Sequence, residues 1–324
     1  MTTAASPAAT AVPFRFFNLR VVRRQAVGHS MVRITFGGQA LGDFAAGGRD
    51  QRVKLFLPHP YQDTPVVPTE AGEEWFAEWR AMDPAVRGIM RTYTIREQRH
   101  EPDELDIDFA LHGTGPQTPA PGVNGRAAGR TAAPRTADGR ASDGRAASGP
   151  AARWAARAEP GDRVVILGPV AADNAGVDFR PPPGTDWVLL TADETALPAV
   201  AGILTWLPAG TRAKIWIEVP HPEDMRELPT DADAEITWLV RDSVRGSRTD
   251  LALDAVRAAD LPAGVPYAWI AGESATVRAV RRHLVRERGF DRRAVMFTGY
   301  WRQGATEEDL VEEVVSGTGP SDDD

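Results

Sequence analysis

The chain has 324 residues, with 37 lysines and arginines against 45 aspartates and glutamates, for a formal net charge of −8. That balance excludes a generally basic nucleic-acid binder. The absence of cysteine excludes disulfides, thiolate nucleophiles, zinc knuckles and iron–sulfur clusters, so any redox chemistry must come from a bound cofactor.

At roughly 100–200 residues per domain the length predicts two domains. Residues 1–13 lack a basic stretch followed by an apolar one and are expected to be disordered. Nowhere do about 18 apolar residues run together, which gives the expectation of a cytoplasmic protein with no membrane span. From 14 to 178 short strand-like runs dominate: Phe14–Val22, Met31–Phe36, Arg52–Leu57, Met90–Arg96, Leu105–Leu111 and Arg163–Leu167. The clearest alternation sets Leu105, Ile107, Phe109 and Leu111 against Asp106, Asp108, Ala110 and His112. Six such strands with Gly and Pro turns predict a closed antiparallel barrel. Glu70–Ala81, which carries Trp75, Phe76 and Trp79, reads as a helix packed on it. Residues 114–148 are a low-complexity insertion of nine Ala, six Gly, five Arg and four Pro, unable to bury enough apolar surface to offset its ordering entropy.

Pro181, Pro182 and Pro183 mark a linker over 179–185. Beyond it, over 186–304, strands and helices alternate. Trp187–Leu190, Lys214–Val219, Glu235–Val240, Tyr267–Ala271 and Val295–Gly299 read as strands, with helices over Thr195–Leu207, Leu251–Ala259 and from Ser274 to a stop at Gly289. This rhythm implies a parallel sheet with helices on both faces. The fold class is therefore β followed by α/β. Residues 305–324 hold eight carboxylates and no base, so residues 1–304 carry no formal net charge; this tail is expected to fray, with a turn or two of helix in Asp309–Val315.

Arg91-Thr92-Tyr93-Thr94 lies on a strand, which puts Arg91 and Tyr93 on one face. Arginine holds phosphate through its planar fork, tyrosine packs along a flat ring system, and threonine bonds a ring or ribityl oxygen. The alternative is an edge strand with a surface arginine. His112-Gly113, followed across the insertion by Gly149-Pro150-Ala151-Ala152-Arg153-Trp154-Ala155, reads as a strand end, a turn and a helix N-terminus, where free backbone N–H groups receive a pyrophosphate.

With these motifs, and with Gly-Asp-Arg-Val at 161–164, Ala-Asp-Glu-Thr-Ala-Leu-Pro-Ala at 192–199, Ala-Gly-Glu-Ser at 271–274 and Gly-Tyr-Trp-Arg-Gln-Gly at 299–304, the chain resembles the siderophore-interacting protein family. These are ferric-siderophore reductases among the ferredoxin-reductase-like flavoproteins. The resemblance runs from about Phe14 to Gly304. It implies an FAD-binding barrel and an NAD(P)-binding-like α/β domain. It also implies FAD contacts at Arg91, Tyr93, Thr94, His112, Gly149, Pro150, Ala151, Ala152, Trp154 and Trp301. Ala152 stands where the family usually has Ser or Thr, which removes a hydrogen bond worth about 0.5–1.5 kcal/mol.

On the nicotinamide side the expected residues are Asp193, Glu194, Thr195, Gly272 and Glu273. Related reductases place a Gly-x-Gly-x-x-Pro turn where this chain has Asp193-Glu194-Thr195-Ala196-Leu197-Pro198. Two readings remain open: the carboxylates cap the following helix, or they meet ribose hydroxyls while opposing a phosphate. Lys54, one of only two lysines beside 35 arginines, and Arg241 are the expected basic rim for an anionic chelate. The resemblance thus implies reduction of a ferric siderophore by NAD(P)H through FAD. The alternatives are a ferredoxin-dependent electron-transfer reductase and a non-catalytic iron-chelate-binding protein.

Overall fold

The computed structural model describes residues 13–111, 149–243 and 248–316. His112, the 114–148 insertion and nearly all of the N-terminal segment lie outside the described residues. The first half builds β1 (Phe14–Ala26), β2 (Met31–Gly37), β3 (Arg52–Leu57), α1 (Trp75–Ala81), β4 (Ile89–Thr94), β5 (Glu97–Arg99), β6 (Glu104–Ala110), α2 (Pro150–Ala155) and β7 (Arg163–Pro169). Its strands form one curled antiparallel sheet in the order β4-β3-β7-β1-β2-β6-β5.

The sheet has seven strands rather than six, and with β4 and β5 as its two edges it is a curled half-barrel rather than the closed barrel expected. The strand expected over Met90–Arg96 stops at Thr94, and the chain resumes as β5 on the edge of β6, a three-residue pairing too short to show a period. On β6, Leu105, Ile107 and Phe109 enter the core with no exposure. Burial of each such side chain stabilises the fold by roughly 1.5–3 kcal/mol. Asp106 and Asp108, on the opposite face, are also buried. Arg99 and the Thr35 hydroxyl donate to Asp106, and Arg33 donates to Asp108 at 2.6 Å. Burial alone would raise the Asp106 pKa, but these donors outweigh it and hold the carboxyl below its usual range.

The second half builds β8 (Trp187–Ala192), α3 (Leu197–Trp206), β9 (Arg212–Val219), β10 (Asp233–Val240), α4 (Arg248–Ala258), β11 (Pro266–Glu273), α5 (Ser274–Arg286) and β12 (Val295–Trp301). The sheet is wholly parallel, in the order β10-β9-β8-β11-β12. Its two faces bury separate apolar clusters, one under α3 and one under α4 and α5. Pro198 falls in the first turn of α3, where no intrahelical N–H is needed. Gly289, at φ +74°, lies just beyond α5, in the left-handed region that favours glycine.

Two expectations are corrected. Phe179, placed in the linker, has no exposure; its ring packs on Trp206 and Tyr267 in the second core. The adjoining backbone is clamped by buried Asp50, which accepts from Phe179 N and from Trp269 Nε1 at 2.9 Å and so ties the two sheets together. The acidic tail, expected to fray, forms a ten-residue helix, α6 (Glu307–Ser316). Val311 packs against the Phe56, Trp79 and Met90 cluster, and three glutamates meet arginines: Glu308 with Arg91, Glu312 with Arg80 and Glu313 with Arg302.

Candidate functional site

The carboxyl end of β12 faces β3 and β4 across a cleft of about 660 Å³, closed on its third side by α1 and α6. Alternation on β4 sends Tyr93 toward the barrel core, where its ring lies 4.4 Å from that of Phe109. Thr92 lies opposite Lys54 and accepts from its Nζ at 2.8 Å. Arg91 donates to Glu308 at 2.6 Å. Buried Thr94 lines the cleft beside the Tyr300 phenol, yet its hydroxyl makes no hydrogen bond of good geometry. Desolvation pushes that phenol well above its ordinary pKa.

Trp301 borders the cleft, and its Nε1 donates to Asp193 at 2.8 Å. Asp193 also accepts from the backbone and hydroxyl of Thr195 and from Glu273 N. It therefore joins the carboxyl ends of β8, β11 and β12. The approach is close enough that a Cβ on Gly272, which sits at φ +142°, would lie 2.8 Å from the Asp193 carboxylate. Next to it, Arg241 donates to Glu194 at 2.6 and 2.7 Å and to Glu218 at 2.7 Å. Glu194 has no exposure and Glu218 is 2% exposed. Burial works against the Arg241 cation, but the two carboxylates win and raise its pKa. Between β8 and β11, where the strand order reverses and an open α/β sheet usually takes its ligand, only about 10 Å³ remains, room for about one water.

Two family models account for most of the chain. The siderophore-interacting FAD-binding domain matches residues 20–173, and the siderophore-interacting protein model matches 185–304. The chain belongs to the siderophore-interacting protein family. Within this family, the structure of SipS from Aeromonas hydrophila is 30% identical, with a TM-score of 0.67, over 94% of this chain and 98% of that one. Ferric vibriobactin reductase ViuB of Vibrio cholerae is 28% identical over 297 residues, 91% of this chain and 92% of the relative. The NADPH-dependent ferric-chelate reductase of Escherichia coli is 27% identical over 291 residues, 89% and 93% of the two chains.

The structure groups some of the residues that the family resemblance singled out and separates others. Lys54, Arg91, Tyr93, Thr94, Thr195 and Trp301 line the one cleft. Gly149, Pro150, Ala151 and Ala152 form the start of α2, whose N-cap has no side-chain partner. Trp154 stacks on Phe36 at 6.3 Å, on the barrel core. His112 lies outside the described residues. Asp193 and Glu194 do not cap α3, whose N-cap is Ala196 without a side-chain bond; Glu273 does cap α5, accepting from Ala275 N and Thr276 N. Arg241, expected at a basic rim, is instead committed to Glu194 and Glu218. The reading of residues missed Arg52, paired with Asp178, and the α6 wall of Leu310 and Val311. No local pattern announces either.

Proposed function

We propose that the protein is a cytoplasmic FAD-dependent reductase that takes electrons from NAD(P)H and passes them to a ferric siderophore, freeing iron(II). The observation that carries this reading is the single cleft joining the Arg91–Thr94 strand of the barrel to Trp301 of the α/β sheet. Its chemistry suits a flavin: a tyrosine ring, a buried threonine hydroxyl beside the Tyr300 phenol and an indole on one opening. FAD, when bound, supplies two-electron acceptance from a nicotinamide and one-electron delivery to iron(III).

The residues of this chain then have distinct tasks. Tyr93 and Thr94 hold the ring system, and the uncapped turn at Gly149–Ala152 receives the pyrophosphate. Trp301, fixed by Asp193, covers the cleft on the sheet side and excludes water. Lys54 borders the side from which the chelate enters. Iron(III) is held by hard oxygen ligands, and reduction lowers its charge and loosens that complex. The similarity to ViuB and to the Escherichia coli relative supports reduction of a ferric chelate, and the latter supports NADPH as donor.

A second reading, a ferredoxin donor, is favoured by one observation: Asp193 and the Glu194–Arg241–Glu218 cluster fill the position of a dinucleotide turn. One experiment separates the readings. The purified protein is expected to be yellow or to take up FAD; a colourless preparation that binds none sinks both in favour of a non-catalytic chelate-binding protein. Anaerobic mixing with NADPH, NADH or reduced ferredoxin identifies the donor by which one bleaches the flavin. Added ferric siderophore then restores the colour.

A further inference from the structure

Within the reductase reading, on which this inference rests, the cleft wall facing Trp301 restricts the kind of chelate that fits. It is made of Trp75 and Phe76 from α1, Met90 from β4, and Leu310 and Val311 from α6. Helix α6 reaches this place by crossing back from the end of the sheet to the barrel. Among the described residues, the guanidinium groups on the cleft wall already face carboxylates: Arg91 meets Glu308 and Arg52 meets Asp178. Lys54 donates to the Thr92 hydroxyl. The cleft therefore offers an apolar face, two guanidinium groups already paired with carboxylates and an ammonium held by a hydroxyl.

We propose that α6 is a specificity wall that makes the cleft select ferric chelates of little or no net charge with an apolar outer surface. Tris-hydroxamates are that class, since three singly charged hydroxamates neutralise iron(III), whereas three doubly charged catecholates leave a trianion. A trianion in this cleft faces aromatic surface and an Arg91 whose charge Glu308 already offsets, and charge removed from water without a partner is costly. Arg91 and Arg52 can serve it only by giving up Glu308 and Asp178. A neutral chelate needs no such exchange, and its methylene chains gain the contact with Leu310, Val311 and Trp75 that the hydrophobic effect rewards.

The test uses FAD-loaded protein and redox-inert gallium(III) complexes of a tris-hydroxamate and a tris-catecholate, titrated by calorimetry. The hydroxamate is expected to bind at least about tenfold more tightly. Glu308→Gln, which removes charge and keeps shape, is expected to narrow that ratio by about fivefold through tighter binding of the trianion. Val311→Asp is expected to weaken the hydroxamate by about tenfold. Tighter wild-type binding of the trianion, or an unchanged ratio in Glu308→Gln, overturns the inference. The reductase reading is followed in parallel by iron(II) release from the two ferric chelates. Release from both with the trianion preferred sinks the α6 proposal alone; no release from either, while ferricyanide still reoxidises the reduced flavin, sinks both.

Discussion

Two crevices lie on either side of the hydrogen bond from Trp301 to Asp193, and they differ in volume and in lining. On the barrel side lies the open cleft of about 660 Å³, walled by aromatic and aliphatic side chains. On the sheet side, between β8 and β11, about 10 Å³ remains among Asp193, Glu218, Gly272 and Glu273. The second position is the one that parallel-sheet topology favours for a ligand, yet this chain has closed it with its own charges. Topology creates the crevice at a strand-order reversal; the residues after β8 decide whether it stays empty. Glycines would leave backbone for a phosphate to approach, whereas Asp193 and Glu194 occupy that space and recruit Thr195, Trp301 and Arg241.

The sharpest way to break this contrast is to remove the cation from the closed side. Arg241→Met leaves Glu194 and Glu218 buried without their partner, and breaking such a buried cluster costs about 3–5 kcal/mol. Urea unfolding monitored by tryptophan fluorescence measures it. A loss within experimental error would mean that water already reaches these carboxylates, and the closed crevice would not be closed.

Asp193→Ala comes next. It deprives Trp301 Nε1, Glu273 N and Thr195 N of their acceptor, for an expected loss of about 1–3 kcal/mol. It also enlarges the crevice. If the carboxylate is what excludes a dinucleotide, the KM for NADPH falls in this variant while ferredoxin-dependent reduction, where present, does not improve. An unchanged or higher KM would show that the nicotinamide never approaches by this route.

The two crevices were also unequally legible in the sequence. The open one announced itself through β4, because Arg91, Tyr93 and Thr94 combine a strand period with ring-binding and phosphate-binding chemistry. The closed one was visible only as a departure, Asp193 and Glu194 where glycines are usual, and its resolution needed partners from distant strands. Asp193 is answered by Glu273 and Trp301, and Glu194 by Arg241. Those pairings are set by parallel-strand register, which no local pattern encodes. The order of helix α6 is hidden for the same reason: Leu310 and Val311 among five nearby carboxylates show too little apolar surface to order a helix alone, and the missing surface is supplied by Phe56, Trp79 and Met90. The alternation of β6 was read correctly in period, but the face carrying Asp106 and Asp108 is covered by Arg99 and Arg33 rather than by water.

That arginine ladder backs the open cleft, since Asp108 also lines it, and it gives the cleft a pH signature. Asp106 and Glu104 both have pKa values below their usual range in the folded protein. Groups of this kind contribute stability that is fully present above about pH 4 and is lost as the pH falls through the folded value. Asp106→Asn removes one of them, so its unfolding free energy should fall less steeply on acidification than that of the parent. Equal slopes in the two proteins would place the acid sensitivity elsewhere.

The smallest effect concerns the rigidity of the open cleft itself. Its two flanks are built differently. Trp301 is fixed through a buried carboxylate, while α6 is tied by ion pairs such as Arg80–Glu312, whose side chains are 37% and 70% exposed. Exposed pairs of that kind contribute little to global stability, because water solvates both charges and holding two long side chains in register costs entropy. Their effect should instead be local, so replacing Glu312 by Gln is expected to leave global unfolding nearly unaltered. Amide exchange within residues 307–316 should accelerate by about tenfold, with β12 unaffected. Acceleration that spreads into β12 would mean that α6 and the Trp301 flank open as one unit, and that the cleft has a single cooperative mouth instead of one fixed side and one soft side.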